Sequence, residues 1–505
     1  MNDMSRQPVC LIIPPSAFLL DERVFVSLGI LKVAAVLEQA GHDVEVLDCS
    51  GIVNYDALLH DYCAASPTRM FGITATTPQM PQAAIIGTIL RKLKPDARVI
   101  LGGPHVTLTH TAARKEQERG VRGRAVKALE SLEQGYDVLV SGDGEKAVFI
   151  ALGDRPPKLI DANDLNSPLF VTRDEFDRSP YPARHLVDLK SYRYSIDGEN
   201  ATSIIGQLGC PFSCGFCGGR ESPCLRVARI RSTPKVIHEI ETIYREYGYT
   251  GYMFYDDELN VNPRFMELLD ELTHLQIRIG RKLHLRGFVK AELFTRRQAE
   301  AMYMAGFRWI LSGFETGSPR MLVNINKRAT REDNARCVDY AHEFNLKVKA
   351  LMSLGHPGES PDTIAQTREW LLQVKPDDAD ITIITPYPGT SYYDRALPLP
   401  GETGTWAYRA PATGDLLYCK EIDYRDTSVY YKGNPDDGYR AYTWTDRLAS
   451  RDLVAARNDL EKEIRARLSL PVQAGQAALR YEHSMGQPGE IPQSILRGSQ
   501  LQLAG

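Results

Sequence analysis

The sequence lacks the features of several large protein classes. Its 505 residues contain 60 Lys and Arg against 64 Asp and Glu, a formal net charge of −4, so it has no positive excess of the kind that binds nucleic acid. No apolar run is long enough to span a bilayer and no N-terminal apolar leader is evident, so we expect a cytoplasmic protein. Nine cysteines are too few, and odd in number, for a disulfide-stapled secreted domain.

The fingerprint of a nicotinamide-binding domain is also missing. No G-x-G-x-x-G motif follows the first apolar strand, VCLIIPPSAF, which argues against a dinucleotide cofactor. No internal repeat is evident, and a chain of this length has room for roughly three domains of common size.

Three of the few cysteines lie together in one short segment. Cys210, Cys214 and Cys217 are spaced C-x3-C-x2-C in LGCPFSCGFCGGR, with Phe216 before the last of them. Three thiolates on one loop can bind three corners of a cubane iron–sulfur cluster and leave the fourth iron open to a substrate or cosubstrate. Because Cys224 follows closely, a structural zinc site with four cysteine ligands is an alternative.

The segment that follows the cysteines alternates between strand and helix patterns. Residues 232–248 have helical apolar spacing with Pro234 in the first turn, and Thr330 with Asp333 forms a capping box that opens a later helix. Short apolar strands end in polar motifs, which are GYMFYDDELN, RWILSGFETGS, GHPGES and TPYPGT. This alternation predicts a parallel β/α architecture.

The cysteine loop and the strand-end motifs together resemble the radical S-adenosylmethionine (SAM) superfamily. The resemblance implies a partial (β/α)6 TIM-type barrel whose [4Fe-4S] cluster binds SAM at its open iron. One-electron reduction then cleaves SAM to a 5′-deoxyadenosyl radical. The SAM-binding residues that it implies, of which Asp257 and Glu315 match best, are Phe216, Asp256, Asp257, Glu315 and Thr316.

The N-terminal third predicts a separate Rossmann-like, doubly wound α/β domain. Its five apolar strands are VCLIIPPSAF, DVEVLDC, MFGITATT, ARVILGG and YDVLV, and helical patterns separate them. Such sheets bind their ligand across the carboxyl ends of the strands. We therefore expect the ligand near residues 14–16, 74–77, 102–107 and 142–145.

The motifs SLGI, AGHDVEVLD, GGPHVT and GDGE resemble the cobalamin-binding domain found ahead of many radical SAM enzymes. A D-x-H-x-x-G motif is absent, so the resemblance implies base-off cobalamin without a histidine ligand, and we expect His105 to be structural. The cobalamin-binding residues that the resemblance implies are Pro15, Ser16, Thr74, Thr76, Gly102, Gly103, Pro104, His105, Gly142, Gly144 and Glu145.

The expected domains are residues 1–155 for cobalamin, a connector at 156–197, the radical SAM core at 198–395, and a small, mostly helical C-terminal region at 396–505. The charged stretch 111–135 is interpreted as an exposed helical insertion. Residues 453–468 are predicted to form an amphipathic helix that packs on its own domain. The Gly/Pro/Gln-rich tail from Gly486 is predicted to be disordered.

The resemblance favours a cobalamin-dependent C-methyltransferase. In that reaction the 5′-deoxyadenosyl radical abstracts a hydrogen atom and an unactivated carbon receives the methyl group of methylcobalamin. The partners would be a small-molecule substrate, such as a natural-product or lipid precursor, and an electron donor such as flavodoxin or ferredoxin. Tyr255 or Tyr387 could face the substrate, although core packing is the commoner role of tyrosine.

Three other functions stay open at this point. The same cofactors could drive a rearrangement or cyclisation without methyl transfer. A transfer RNA methylthiotransferase would need a second cluster, for which Cys10, Cys49 and Cys63 are candidates, but no basic RNA-binding region accompanies them. A non-catalytic cobalamin sensor is disfavoured by the intact cysteine loop.

Overall fold

We describe the protein from a computed structural model. The described residues are 8–19, 21–219, 221–431 and 439–470, together with the backbone of 496–498. Across this part of the chain, none of the helices combines the length and the apolar character needed to cross a membrane.

The N-terminal domain is built on a parallel sheet in the strand order β2-β1-β3-β4-β5-β6. Its strands are β1 (Val9–Ile13), β2 (Val44–Asp48), β3 (Met70–Thr74), β4 (Arg98–Gly102), β5 (Val138–Gly142) and β6 (Leu159–Ala162). The five predicted strands are confirmed. The sixth strand, β6, was not predicted, because an edge strand of only four residues leaves little pattern in the sequence. It extends the sheet past residue 155 into the expected connector.

Helices cover both faces of this sheet, as its continuously buried strands require. Alternate residues of β1 belong to two separate cores: Val9 and Leu11 pack with α1 and α6, whereas Cys10 and Ile12 pack with the other four helices. The helices are α1 (Leu28–Gln39), α2 (Tyr55–Ala65), α3 (Met80–Leu93), α4 (Pro104–Glu118), α5 (Arg124–Gly135) and α6 (Gly144–Ala151).

The charged stretch 111–135 is helical, and most of its charges are exposed or half-exposed as predicted, but Glu116 and Arg124 are buried. The Glu116 carboxylate accepts the first N–H groups of α5, from Ala125 at 3.2 Å and Val126 at 2.9 Å. Arg124 is buried, with its guanidinium carbon 3.6 Å from the ring centre of Tyr393 and 4.2 Å from that of Trp406. These charges cap a helix and join the two halves of the molecule, a use that charge pattern cannot reveal.

The second half of the chain forms the expected partial barrel. After the short helix α7 (Arg173–Arg178), six parallel strands lie in the order β8-β11-β12-β13-β14-β15, with the two-residue strand β7 antiparallel beside β8. The six are β8 (Glu199–Ile204), β11 (Gly251–Phe254), β12 (His284–Phe288), β13 (Phe307–Glu315), β14 (Lys347–Leu354) and β15 (Asp378–Ile383). β7 is Ser195–Ile196, and a small ladder of β9 (Gln207–Leu208) and β10 (Arg229–Ile230) flanks the cysteine loop.

Helices follow the barrel strands in turn. Pro234 lies in the first turn of the second of them, and Thr330 caps another through the predicted box with Asp333. The helices are α8 (Pro223–Arg226), α9 (Thr233–Tyr247), α10 (Phe265–Ile279), α11 (Arg296–Ala305), α12 (Pro319–Ile325), α13 (Arg331–Glu343), α14 (Pro361–Val374) and α15 (Ser391–Asp394).

The C-terminal region contains a sheet that the sequence did not indicate. Strands β16 (Leu397–Pro398), β17 (Thr405–Arg409), β18 (Leu416–Lys420) and β19 (Thr443–Trp444) are antiparallel. The prediction of a mostly helical region missed them because such short strands carry too little period. The predicted helix is α16 (Ser450–Arg467), and its apolar stripe packs on the barrel core. The tail from Gly486 lies outside the described residues, except that β20 (Leu496–Gly498) pairs antiparallel with β2.

A buried ion pair joins the two domains. Asp143, in the turn after β5, pairs with Arg229 of β10, whose side chain is 2% exposed. Arg229 also donates to the backbone oxygens of Val171 at 3.0 Å and Cys224 at 2.7 Å. One guanidinium therefore holds the strand ends of the N-terminal sheet, the connector and the segment after the cysteine loop.

We predict that Asp143→Ala lowers the free energy of unfolding by about 3–5 kcal/mol, because it leaves Arg229 buried without its counter-ion. Urea unfolding followed by circular dichroism measures the change. The matched control is Glu130→Ala, which breaks the exposed pair with Arg122 and should leave the midpoint nearly unchanged. Equal shifts in the two variants would contradict this role of Asp143.

Candidate active site

The three cysteines lie on a loop between β9 and α8, at the carboxyl end of the first barrel strand. The loop turns at Gly209, where φ is +87° and an added Cβ would lie 2.2 Å from the Val227 carbonyl oxygen, so only glycine fits. Gly215 donates its N–H to Ile325 O at 2.8 Å and accepts from the Tyr392 N–H at 3.1 Å. These bonds anchor the middle of the loop to the far side of the barrel.

Cys224 does not act with the three loop cysteines. It is buried, its N–H donates to Asn163 Oδ1 at 3.0 Å, and burial raises the pKa of its thiol well above the usual value. Throughout the described chain, no three His, Cys, Asp or Glu side chains converge closely enough to bind one metal ion. The buried, hydrogen-bonded position of Cys224 disfavours a four-cysteine zinc site.

The N-terminal cysteines are core residues. Cys10, Cys49 and Cys63 are all buried in the core on one face of the sheet, and burial raises the pKa of each thiol. A protonated thiol in an apolar core is a poor metal ligand. This arrangement does not support the second iron–sulfur cluster that a methylthiotransferase would need.

The acidic segment after β11 consists of Asp256, Asp257 and Glu258, and the first two differ in burial. Asp256 is buried, and its Oδ1 accepts the Gly206 N–H at 2.6 Å. Burial raises its pKa to about 7, although hydrogen bonds from the Gly206 and Gln207 N–H groups act in the opposite direction. Asp256 therefore fixes the backbone ahead of the cysteine loop, while Asp257 is exposed beside it.

Two buried side-chain oxygen atoms in and next to this segment accept no hydrogen bond from the described residues. Glu258 Oε2 and Gln207 Oε1 have no hydrogen-bond partner among the described residues, and they are neighbours, since Gln207 Nε2 donates to Glu258 O at 2.6 Å. Burial raises the pKa of Glu258 to about 7, although Lys327 and Lys290 lower it. A buried acceptor pair without donors fits a cationic ligand group such as an ammonium.

Glu315, at the end of β13, has an unusual backbone conformation. Its φ is +65°, at the point where the β13–β14 register shifts, and such a conformation in a non-glycine residue costs about 1–3 kcal/mol. Its Oε1 accepts from Lys327 Nζ at 3.2 Å and its Oε2 from Ser353 Oγ at 2.7 Å. The carboxylate lies back over β13, since an added Cβ at Gly313 would be 2.4 Å from Glu315 Oε1.

Thr316 has a structural role. It is fully buried, its hydroxyl lies 2.9 Å from that of Thr367 on α14, and it accepts the Ser318 N–H at 3.1 Å. The Thr316 hydroxyl is therefore engaged with α14 and the start of α12.

Sequence reasoning missed two side chains at this end of the barrel. Lys327 is 6% exposed, and Glu315, Cys214 and Glu258 outweigh burial so that its pKa lies above the usual value. His356 is fully buried, and Phe216 packs against its ring at a centroid distance of 5.3 Å. His356 lies inside the GHPGES motif, but Lys327 lies outside every motif and is brought in by the fold.

A cavity of about 1660 Å³ separates the two domains. Its N-terminal wall comes from the turns after β1, β3 and β4, at the switch point between β1 and β3 where such sheets bind ligands. Its barrel wall includes Ile205, Gly218 of the cysteine loop, Tyr255 and Tyr387. The volume exceeds the roughly 300–1,000 Å³ of a typical small-ligand site.

The predicted cobalamin-binding residues divide between this cavity and the domain interior. Ser16, Thr76 and Pro104 line the cavity. Glu145 does not, because it forms an ion pair with Lys32 inside the domain. The other predicted residues at these strand ends, which are not among the lining residues described, are Pro15, Thr74, Gly102, Gly103, His105, Gly142 and Gly144.

His105 is a buried structural residue in this arrangement. Its Nδ1 lies 3.2 Å from Thr77 Oγ1 and its Nε2 lies 3.5 Å from Thr109 Oγ1. Burial lowers its pKa to about 4, although Asp423 raises it. Both ring nitrogens therefore face hydroxyl groups of the N-terminal domain, and the imidazole is neutral at physiological pH.

Family models match both halves of the chain. The B12 binding domain matches residues 22–147, and the radical SAM superfamily matches residues 204–371. The first range covers the turns after β3 and β4 and the last part of the turn after β1, and the second covers the cysteine loop and strands β11 to β14.

Curated relatives and a solved structure agree with these matches. An uncharacterized methyltransferase of Pyrococcus horikoshii is 27% identical over 408 residues, 78% of this chain and 84% of the relative. An anaerobic magnesium-protoporphyrin IX monomethyl ester cyclase of Rubrivivax gelatinosus is 23% identical over 63% of this chain and 56% of its own length. The radical SAM methyltransferase TsrM of Kitasatospora setae, solved with cobalamin and a [4Fe-4S] cluster, shares the fold with a TM-score of 0.64, at 17% identity over 90% of this chain and 91% of TsrM.

We predict that Cys214→Ala abolishes cluster assembly, whereas Cys224→Ala retains about four irons per reconstituted chain. The reason is that Cys224 is locked by its backbone hydrogen bonds in a separate buried site. Iron and sulfide analysis with the visible spectrum after anaerobic reconstitution measures both. Loss of iron in Cys224→Ala with an unchanged far-UV spectrum would show that Cys224 is a ligand.

The cysteine loop, the half-barrel and the domain ahead of it are consistent with one another. The loop lies at the carboxyl end of the first barrel strand, and the cavity opens towards it from the N-terminal sheet. Both halves are matched by family models in the order that the sequence predicted. The chain is thus a radical SAM enzyme that carries an N-terminal B12-binding domain.

Proposed function

We propose that this protein is a cobalamin-dependent radical SAM C-methyltransferase that acts on a small molecule. The observation that carries the proposal is the single cavity shared by the strand ends of the B12-binding domain and the cysteine loop. The turns of the N-terminal wall would hold the corrin. The cavity volume of about 1660 Å³ is above that of a site for one small ligand.

When bound, the cluster with SAM supplies a carbon radical, and cobalamin supplies a transferable methyl group. Cys210, Cys214 and Cys217 would hold the cluster. The unsatisfied acceptors of Glu258 and Gln207 suit the amino group of SAM, with Asp257 beside them. The remaining candidate contacts are the Glu315 carboxylate and the Phe216 ring.

Cobalamin in this protein would be base-off and without a histidine ligand. His105 is the histidine closest in sequence to the predicted strand-end sites, and both its nitrogens face buried threonine hydroxyls. Leu108 of α4 lines the cavity beside Gly218, so an apolar side chain lies between the domains at this point. The turns after β1 and β3, which line the cavity, would hold the corrin.

Aromatic side chains would shield the radical from water. Tyr255 and Tyr387 line the barrel side of the cavity, and Phe18, Phe25 and Tyr431 line the side nearer the B12-binding domain. Phe25 contacts the Tyr255 ring at a centroid distance of 5.0 Å. We assign Tyr255 and Tyr387 as substrate-facing, because both line the cavity. Aromatic rings there would exclude water, which protects reactive intermediates.

A cyclisation or rearrangement without methyl transfer is the second candidate. The observation that favours it is the Rubrivivax gelatinosus relative, which is named a cyclase. The two functions would share every cofactor contact and would differ only in what lies between the corrin and the substrate.

An isotope-labelling experiment separates methyl transfer from cyclisation or rearrangement. We predict that the reconstituted enzyme, supplied with SAM carrying a ¹³C methyl group and with cobalamin, transfers the labelled methyl group to cobalamin and forms 5′-deoxyadenosine under reducing conditions. Mass spectrometry measures both products. Deoxyadenosine formation without any methylation of cobalamin would favour the second candidate, and failure to retain cobalamin would contradict both.

We further predict that SAM affinity falls as pH decreases through about 7, because protonated Glu258 no longer attracts an ammonium. Glu258→Gln should weaken binding at pH 8 by roughly tenfold or more and flatten the pH dependence. Equilibrium dialysis of the cluster-loaded enzyme measures both. Glu332→Gln, on the exposed start of α13, is the control, and an unchanged pH profile in Glu258→Gln would exclude this contact.

A further inference from the structure

A row of buried hydrogen-bonded side chains joins Glu315 to the cysteine loop. Ser353 Oγ donates to Glu315 Oε2 at 2.7 Å and lies 2.8 Å from His356 Nε2. The other ring nitrogen, His356 Nδ1, lies 3.3 Å from the Tyr392 hydroxyl. Tyr392 donates its backbone N–H to Gly215 O, in the middle of the loop, at 3.1 Å. The row thus spans from the end of β13 to the loop through β14 and α15.

The row is rigid. Ser353, His356 and Tyr392 are all buried, and the ring of Phe216 packs edge-on against the imidazole. An imidazole with both nitrogens hydrogen-bonded and one face covered cannot rotate without breaking a bond in a dry environment. The Tyr392 ring also lies close against the loop, since an added Cβ at Gly215 would be 2.6 Å from it.

The Glu315 end of the row is equally constrained. Gly313 lacks a side chain where a Cβ would lie 2.4 Å from Glu315 Oε1 and 3.1 Å from Lys327 Nζ. The carboxylate and the ammonium can therefore lie over the backbone of β13, 3.2 Å apart. With Lys327 on Oε1 and Ser353 on Oε2, both carboxylate oxygens are oriented by neighbours on the chain.

We propose that Ser353, His356 and Tyr392 are positioning residues that fix the Glu315 carboxylate relative to the cysteine loop, and through it the placement of SAM against the cluster. This inference rests on the proposed function, in which Glu315 contacts SAM. The three residues act through Glu315 and the loop. Small displacements of a reacting group cost large factors in rate, so a rigid link between the two contacts serves the cleavage of SAM.

The test removes single hydroxyl groups from the row. Tyr392→Phe keeps the ring and the backbone bond to Gly215, and Ser353→Ala removes the contact with Glu315. Tyr408→Phe is the matched control, because its ring packs 4.8 Å from that of Tyr392 while its hydroxyl lies outside the row. Ser353→Thr restores a hydroxyl and should rescue the alanine variant.

Three measurements on the reconstituted full chain decide the outcome. They are iron content, the affinity for SAM, and the electron paramagnetic resonance spectrum of the reduced cluster with and without SAM. We expect Tyr392→Phe and Ser353→Ala to retain iron and the SAM-free spectrum, to bind SAM roughly 10- to 100-fold more weakly, and to lose most of the spectral change that SAM causes. Tyr408→Phe and Ser353→Thr should match the wild type.

Two results would overturn the inference in distinguishable ways. If both variants bind SAM and change their spectra as the wild type does, the row is only a part of the core. If the wild-type spectrum itself does not respond to SAM, the proposed SAM site fails and the positioning role fails with it.

Discussion

The carboxyl ends of two parallel sheets face each other across one cavity, and every candidate functional residue depends on that arrangement. In a parallel sheet the strand ends gather the loops along one edge. Here the turns after β1, β3 and β4 form one wall, and the loops after β8, β11 and β15 form the other. Residues far apart in the sequence, such as Ser16, Gly218 and Tyr387, therefore line a single space.

Buried polar groups hold the two sheets in this orientation. Arg229 joins Asp143 to the connector, and Arg124 lies between two aromatic rings of the barrel half. The Thr111 hydroxyl on α4 lies 2.9 Å from that of Ser222, just after the cysteine loop. An unpaired buried group is costly, so these contacts make the domain orientation specific as well as stable. The same principle applies within the site, where Lys327 and Ser353 orient the Glu315 carboxylate.

The sequence predicted the parts of the fold that leave a local signal. Five N-terminal strands, five of the six barrel strands and the helix of residues 453–468 were predicted from apolar runs or helical spacing, whereas the first barrel strand was implied only by the family resemblance. Edge strand β6 and the short antiparallel strands of the C-terminal region were missed, since a few residues carry little period. Two charges of residues 111–135 were misjudged: Glu116 caps the next helix, and Arg124 packs on rings far along the chain, contacts that depend on the folded packing.

For the site, the sequence by itself determined which residue types the chemistry can use. The C-x3-C-x2-C spacing identified the metal loop, and the strand-end motifs identified the barrel that holds it. Only the tertiary structure decided that Cys224 is locked away, that Glu145 pairs inside its own domain, and that Lys327 and His356 lie beside Glu315. A motif records neighbours along the chain, whereas burial and hydrogen bonding depend on neighbours in space, which the packing of two domains supplies.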